Sequence, residues 1–106
     1  MKRLKRRYLM VQVEGEIIPS EREFIDAVWA TISKLYGEVG ASSSGLSLIS
    51  FDAERGIGVL RVWLSAVPVV RSSLATITNI VGKATTVNVL GISGTIKSLW
   101  NREKSF

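Results

Sequence analysis

Alternating apolar runs, two amphipathic stretches with start and stop residues, and their order along the chain predict an α+β sandwich of order β-α-β-β-α-β. Two helices would cover one face of a four-stranded antiparallel sheet. Right-handed crossovers would put the first and third strands in its centre. A short helix would follow the last strand. The chain is organised around residues 55–63, Arg-Gly-Ile-Gly-Val-Leu-Arg-Val-Trp. β-branched and aliphatic residues dominate this stretch and no proline interrupts it, so it reads as a strand.

Taken in order, residues 8–15 alternate, with Leu9, Val11 and Val13 on one side and Tyr8, Met10, Gln12 and Glu14 on the other. Residues 15–19 form a turn. Ser20-Glu21-Arg22-Glu23 is a capping box that starts a helix. Phe24, Ile25, Val28, Trp29, Ile32, Leu35 and Tyr36 give it one wide apolar face, with Trp29 and Tyr36 in the core or at its edge. Gly37 or Gly40 ends it. Residues 41–45 are a serine-rich loop, 46–51 the second strand and 52–56 a glycine-containing hairpin.

After the central strand, Ser65 can cap a second helix, with Pro68 tolerated in its first turn. Val67, Val70, Leu74, Ile77 and Val81 supply its buried stripe, and Gly82 closes it. Residues 83–92 are the fourth strand. The turn Gly91-Ile92-Ser93-Gly94 leads to a last helix from Thr95, with Ile96, Leu99 and Trp100 on one face. The expected organisation is a basic arm (1–7), one ferredoxin-like domain (8–100) and a frayed tail (101–106).

Charge is unevenly placed. The net charge is +5, from 14 basic and 9 acidic residues. Lys2, Arg3, Lys5, Arg6 and Arg7 stand in the first seven positions without an acid, and the remaining residues balance. Such an arm suits a polyanion, with nucleic acid ahead of a membrane surface because apolar anchors are few. The chain has no cysteine and no histidine. Disulfides, thiolate nucleophiles, imidazole bases and the usual zinc ligands are thereby excluded. No apolar run approaches the roughly 20 residues that span a bilayer. No secretory signal pattern follows the basic start. The expectation is a cytoplasmic protein without a membrane partner.

Arg55-Gly56-Ile57-Gly58 also matches the start of the third-strand motif of RNA recognition motif domains. That motif stacks bases on aromatic rings, and Ile57 and Val59 stand where the rings would be. Aliphatic groups cannot stack a base and are costly to leave wet. The face carrying Tyr8, Met10, Ile57, Val59, Arg61 and Trp63 is therefore expected to be closed by another part of the chain or by a partner protein. Trp63 and Trp100 either meet over the sheet or form an interface hot spot.

Catalysis finds no support in spacing. Glu21, Glu23 and Asp26 sit in the first turns of a helix, where the dipole favours carboxylates, and Asp52 and Glu54 lie in a hairpin. No cofactor or metal site is expected in this chain. Residues 91–97 can be read in two ways. The turn before a helix N-terminus offers backbone N–H groups, and Ser93, Thr95 and Lys97 can add donors to a phosphate. Equally, Ser93 or Thr95 is an ordinary N-cap.

Several stretches then fall together: Arg7-Tyr8-Leu9, Ala27-Val28-Trp29, Leu35-Tyr36-Gly37-Glu38, Leu48-Ile49-Ser50-Phe51-Asp52 and Arg71-Ser72-Ser73-Leu74-Ala75-Thr76-Ile77. The most specific is Val89-Leu90-Gly91-Ile92-Ser93-Gly94-Thr95-Ile96-Lys97-Ser98-Leu99. With these, the chain resembles the archaeal ribonuclease P protein component 2 family, related to a eukaryotic subunit shared by ribonucleases P and MRP. The resemblance implies a non-catalytic subunit of the ribonucleoprotein that removes the 5′ leader of precursor tRNA. It implies that the RNA subunit performs the hydrolysis with Mg2+ while the protein stabilises the RNA. The partners it implies are ribonuclease P RNA and protein component 3, a TIM-barrel-like subunit, in a dimer of heterodimers with a homodimer contact. In one departure, relatives often carry a basic residue in the loop before the second strand, where this chain has Ser42-Ser43-Ser44.

The expected RNA contacts are Lys2, Arg3, Lys5, Arg6 and Arg7, with Ser93, Thr95 and Lys97. The expected protein interface is Tyr8, Met10, Ile57, Val59, Arg61, Trp63 and Trp100. One rival reading is a small-molecule-binding regulatory domain of the same topology, which would not need the basic arm. A hydrolase is the second rival.

Overall fold

The computed structural model describes residues 5–97. Strand β1 (Arg6–Gly15) leads into helix α1 (Glu21–Ser43), then β2 (Ser47–Asp52) and β3 (Ile57–Trp63). A 3-10 turn (Leu64–Ala66) precedes α2 (Val67–Ala75), β4 (Asn79–Ile80) and β5 (Lys83–Ser93). Every pairing is antiparallel, and the order across the sheet is β2-β3-β1-β5-β4. The split βαβ order and the central placement of β1 and β3 are those the sequence predicts. The strand count differs, because β4 adds a fifth, two-residue strand.

The main core lies between helices and sheet. Leu9, Val11 and Val13 of β1 and Leu60 and Val62 of β3 meet Phe24, Val28 and Ile32 of α1 and Val70 and Leu74 of α2. Phe24 and Phe51 stack with centroids 5.1 Å apart and planes 18° from parallel. Gly58 makes room for them, since a Cβ there would come 3.1 Å from the Phe51 ring and 3.5 Å from that of Phe24. The second glycine of the Arg-Gly-Ile-Gly stretch is thus a packing residue. The first, Gly56, takes φ +68 to close the β2–β3 turn, donating its N–H to the Asp52 carbonyl at 2.8 Å.

The capping box is formed. Ser20 Oγ accepts from the Glu23 N–H at 3.2 Å, and Glu23 Oε1 accepts from the Ser20 N–H at 2.9 Å. Ser20→Ala is expected to lower stability by about 1 kcal/mol, read as a lower thermal midpoint, while Ser20→Asp keeps the cap.

Three local expectations are corrected. Gly37 (φ 79, ψ 171) kinks α1 and does not end it. The helix resumes through Ser43 because Ala41 is buried in the core and Ser44 Oγ donates to the Ala41 carbonyl at 2.6 Å. Residues 41–43, expected as loop, are therefore helical. Second, Ser65 lies in the 3-10 turn and Ala66 takes the N-cap place of α2 without a side-chain bond, while Pro68 does sit in the first turn. Third, α2 stops at Ala75, not Gly82. Ser72, Ser73 and Thr76 hydroxyls donate to the Pro68, Val69 and Ser73 carbonyls, each at 2.8 Å, and such bonds compete with a continuing helix. Val81 and Gly82, both at positive φ (52 and 75), then turn β4 into β5, a two-residue hairpin loop.

On α1, only Phe24, Val28 and Ile32 of the predicted wide apolar face are fully buried, with Ile25 packed at the margin. Trp29 stays 43% exposed, and Leu35 and Tyr36 are exposed too. No described helix is long and apolar enough to cross a membrane. Lys2, Arg3, Leu99, Trp100 and the tail 101–106 lie outside the described residues. Of the last predicted helix, Ile96 and Lys97 are described and are helical.

Candidate nucleic-acid interface

The face away from the helices is not an open apolar surface. Met10 (1% exposed), Ile57 (7%) and Val59 (0%) form a second small core there, with Tyr8 and Leu90 packed against it. Leu90 reaches it by alternation from Val87 and Val89, and the extra residue that β5 carries between the Met10–Gly91 and Val11–Val89 pairs returns Ile92 to the helix side. The expected protein interface is corrected accordingly: Met10, Ile57 and Val59 are already closed within the chain. Tyr8, Arg61 and Trp63 remain half-buried at one end of this face.

That end gathers positive charge. β1 begins at Arg6, so Arg6 and Arg7 are strand residues, and the Leu64 N–H fixes the Lys5 carbonyl at 2.7 Å. Tyr8 pairs with Ser93 of β5 on one side and Arg61 of β3 on the other. The start of the chain and the 93–97 turn, far apart in sequence, therefore meet. Arg7 Nη1 lies alongside Gly94 and donates to the Arg6 carbonyl at 2.9 Å. Lys97 is exposed just beyond. In the turn itself Ser93 Oγ accepts from the Thr95 N–H at 3.3 Å, which is the capping geometry.

Acids lie elsewhere. Glu14, Glu16, Asp52 and Glu54 mark the opposite end of the sheet, and Glu21, Glu23 and Asp26 occupy the first two turns of α1 above it. Among the described residues Glu38, past the kink, is the exception. None of Lys5, Arg6, Arg7, Arg61 or Lys97 is ion-paired with a described residue. Their charges are therefore available to a polyanion.

Trp63 holds the corner of this surface. Arg6 is its partner across β1–β3, with the guanidinium carbon 4.9 Å from the ring centroid. Behind it, Gly45 (φ 67) leaves room for the indole, since a Cβ there would stand 2.5 Å from Nε1. The sequence reading missed this pairing, and the alternation of β1 against β3 was the signal for it. Among the described residues no group of three or more acidic side chains could hold a metal ion. The cleft between the end of α1 and α2, walled by Tyr36, Ser43, Ser65 and Val69, carries no charged side chain.

Residues 7–102 match the Rpp14/Pop5 family. Among curated proteins the chain is similar to ribonuclease P protein component 2 of Methanosarcina barkeri, 37% identical over 90% of this chain and 69% of that protein. The Methanosarcina mazei and Pyrococcus furiosus proteins of that name are 36% and 34% identical, again over 90% of this chain, and 80% and 79% of theirs. A chain in the cryo-EM structure of yeast ribonuclease MRP has the same fold, with TM-score 0.71 at 14% identity, over 99% of this chain and 95% of that one. The match over nearly the whole length, at identities above a third, establishes that the chain belongs to the Rpp14/Pop5 family.

Proposed function

We propose that this chain is a non-catalytic protein subunit of ribonuclease P that binds and stabilises the RNA which removes the 5′ leader of precursor tRNA. The observation that carries this reading is the gathering of Lys5, Arg6, Arg7, Arg61 and Lys97 at one end of the sheet, without an ion-pair partner among the described residues. The names of the curated relatives support the assignment to ribonuclease P and tRNA processing. In this reading Mg2+ is held by the RNA. Ser93, Thr95 and Lys97 add donors beside Arg7, and Lys2 and Arg3, outside the described residues, belong to the same proposed set of RNA contacts.

Assembly with protein component 3, with a homodimer contact inside a heterotetramer, belongs to the same reading. With Met10, Ile57 and Val59 closed off, the largest group of exposed apolar side chains among the described residues is Trp29, Leu35, Tyr36 and Val39 on α1, with Ile17, Ile49, Leu64 and Val81 scattered elsewhere. Light scattering of the mixed subunits reports whether that complex forms, and a persistently monomeric chain removes this part of the reading.

The RNA contact is tested by charge. In Lys5→Gln/Arg7→Gln/Lys97→Gln, the slope of log affinity for ribonuclease P RNA against log salt is expected to fall by about 0.7–0.9 per lost phosphate contact. Cleavage of precursor tRNA by the reconstituted particle should fall with it. An unchanged slope removes this surface from RNA binding.

A further inference from the structure

At the basic end, cations and rings alternate in two dimensions. Arg6 faces Trp63 and Tyr8 faces Arg61 across the β1–β3 pair. By alternation all four stand on the side of the sheet away from the helices, with Trp63, at the end of β3, also packed against the main core, so each cation has a ring opposite it and a second ring two residues along its own strand. The Arg6 guanidinium lies over the Trp63 ring and remains exposed to solvent. Trp63 is fixed from behind by the bare Cα of Gly45, and its backbone N–H donates to the Ser44 carbonyl at 3.0 Å. The planar group is thus presented before any ligand arrives.

An unpaired base stacks on an arginine plane as it does on an aromatic ring. In the middle of this face stacking is ruled out, because Ile57 and Val59 are aliphatic and buried. Among the described residues of this face, the corner alone offers flat, delocalised groups beside phosphate-seeking cations. We infer that the Arg6–Trp63 pair, flanked by Tyr8 and Arg61, is a stacking platform for one unpaired nucleotide whose neighbouring phosphates are held by Lys5, Arg7 and Lys97. This inference rests on the proposed RNA-binding reading and names the kind of RNA feature, a single-stranded one, that the surface takes. A protein partner would find here a cationic patch with its aliphatic groups already covered, which favours RNA over protein.

The test compares two strands of equal charge: oligoadenylate about eight nucleotides long, within the length such sites span, and a ribose-phosphate chain of the same length without bases. Binding to the full chain is followed by fluorescence anisotropy of the labelled strand. The wild-type chain is expected to prefer the strand with bases by about 5- to 100-fold. Arg6→Lys keeps the charge but loses the plane, and should erase most of that preference by bringing the affinity for the strand with bases down towards that for the base-free strand. Trp63→Leu should act in the same direction, with thermal melting to verify that each variant is folded.

Equal affinity of the wild-type chain for both strands overturns the platform, as does a preference that survives Arg6→Lys. If ribonuclease P RNA binds through the basic surface while neither result favours bases, the platform falls and the RNA-binding reading stands. If no RNA binds at all, both fall. Weakened association of Arg6→Lys with another protein subunit, with oligonucleotide binding intact, makes the pair a protein contact and overturns the inference.

Discussion

Val59→Asp is expected to unfold the isolated chain. Val59 has no exposed surface and lies against Met10 and Ile57 in the second, smaller core. A carboxylate there loses its water and gains no cation in the cluster. Leaving a buried charge without a partner costs about 3–5 kcal/mol, and a domain of this size has only about 5–15 kcal/mol of stability in total. Urea unfolding followed by circular dichroism should show either no cooperative transition or a midpoint far below that of the wild type. A variant that folds with a wild-type midpoint, losing only its association with another chain, would mean that this cluster opens to receive a partner. The position thus separates a second core from a docking surface.

Phe24→Ala has the next largest expected effect. The ring is buried, stacked on Phe51 and set over the bare Cα of Gly58. It joins α1, the edge strand β2 and the central strand β3 at one point. Removing it leaves a cavity that Gly58 cannot fill, at a cost of about 3–5 kcal/mol. For a domain of this length each kcal/mol lowers the thermal midpoint by roughly 4–8 °C, so calorimetry should show a fall of more than about 10 °C. A loss below about 1 kcal/mol would mean that the neighbouring side chains collapse into the gap.

Much of the architecture was legible because local and global signals agree. The Ser20–Glu23 box marks where α1 begins, and the alternation of β1 and β3 assigns their faces correctly. The second helix was read too long for a physical reason. Val67, Val70, Leu74, Ile77 and Val81 keep helical spacing, yet Ile77 reaches the core from outside the helix and Val81 is 67% exposed on a turn. Nothing in the pattern announces a β-branched residue at positive φ. Likewise, Trp29 and Tyr36 carry helical spacing, but the stripe that meets the sheet runs through Phe24, Val28 and Ile32 and leaves both outside it.

The candidate site was half legible. Its two basic groups were visible separately, as an arm and as a turn. Their meeting depends on the register of β1 with β5, and that register includes the extra residue at Leu90, which no composition rule places. Leu90 and Tyr8 pack against the cluster around Met10 and Val59, and the apolar surface expected as an interface is interior there. The Arg6–Trp63 pair required both the true start of β1 and the absence of a side chain at Gly45.

The net excess of cations at one end of the sheet and of acids at the other, where Arg22, Arg55 and Lys83 offset only part of the negative charge, has a kinetic consequence. It gives the molecule a lasting dipole, and a polyanion turns it during diffusion, before the surfaces touch. Collisions then arrive with the Arg7–Lys97 corner leading, so a larger share of them succeed. Mobile ions shorten the reach of this torque to about 8 Å at physiological ionic strength, which slows capture more than it hastens escape.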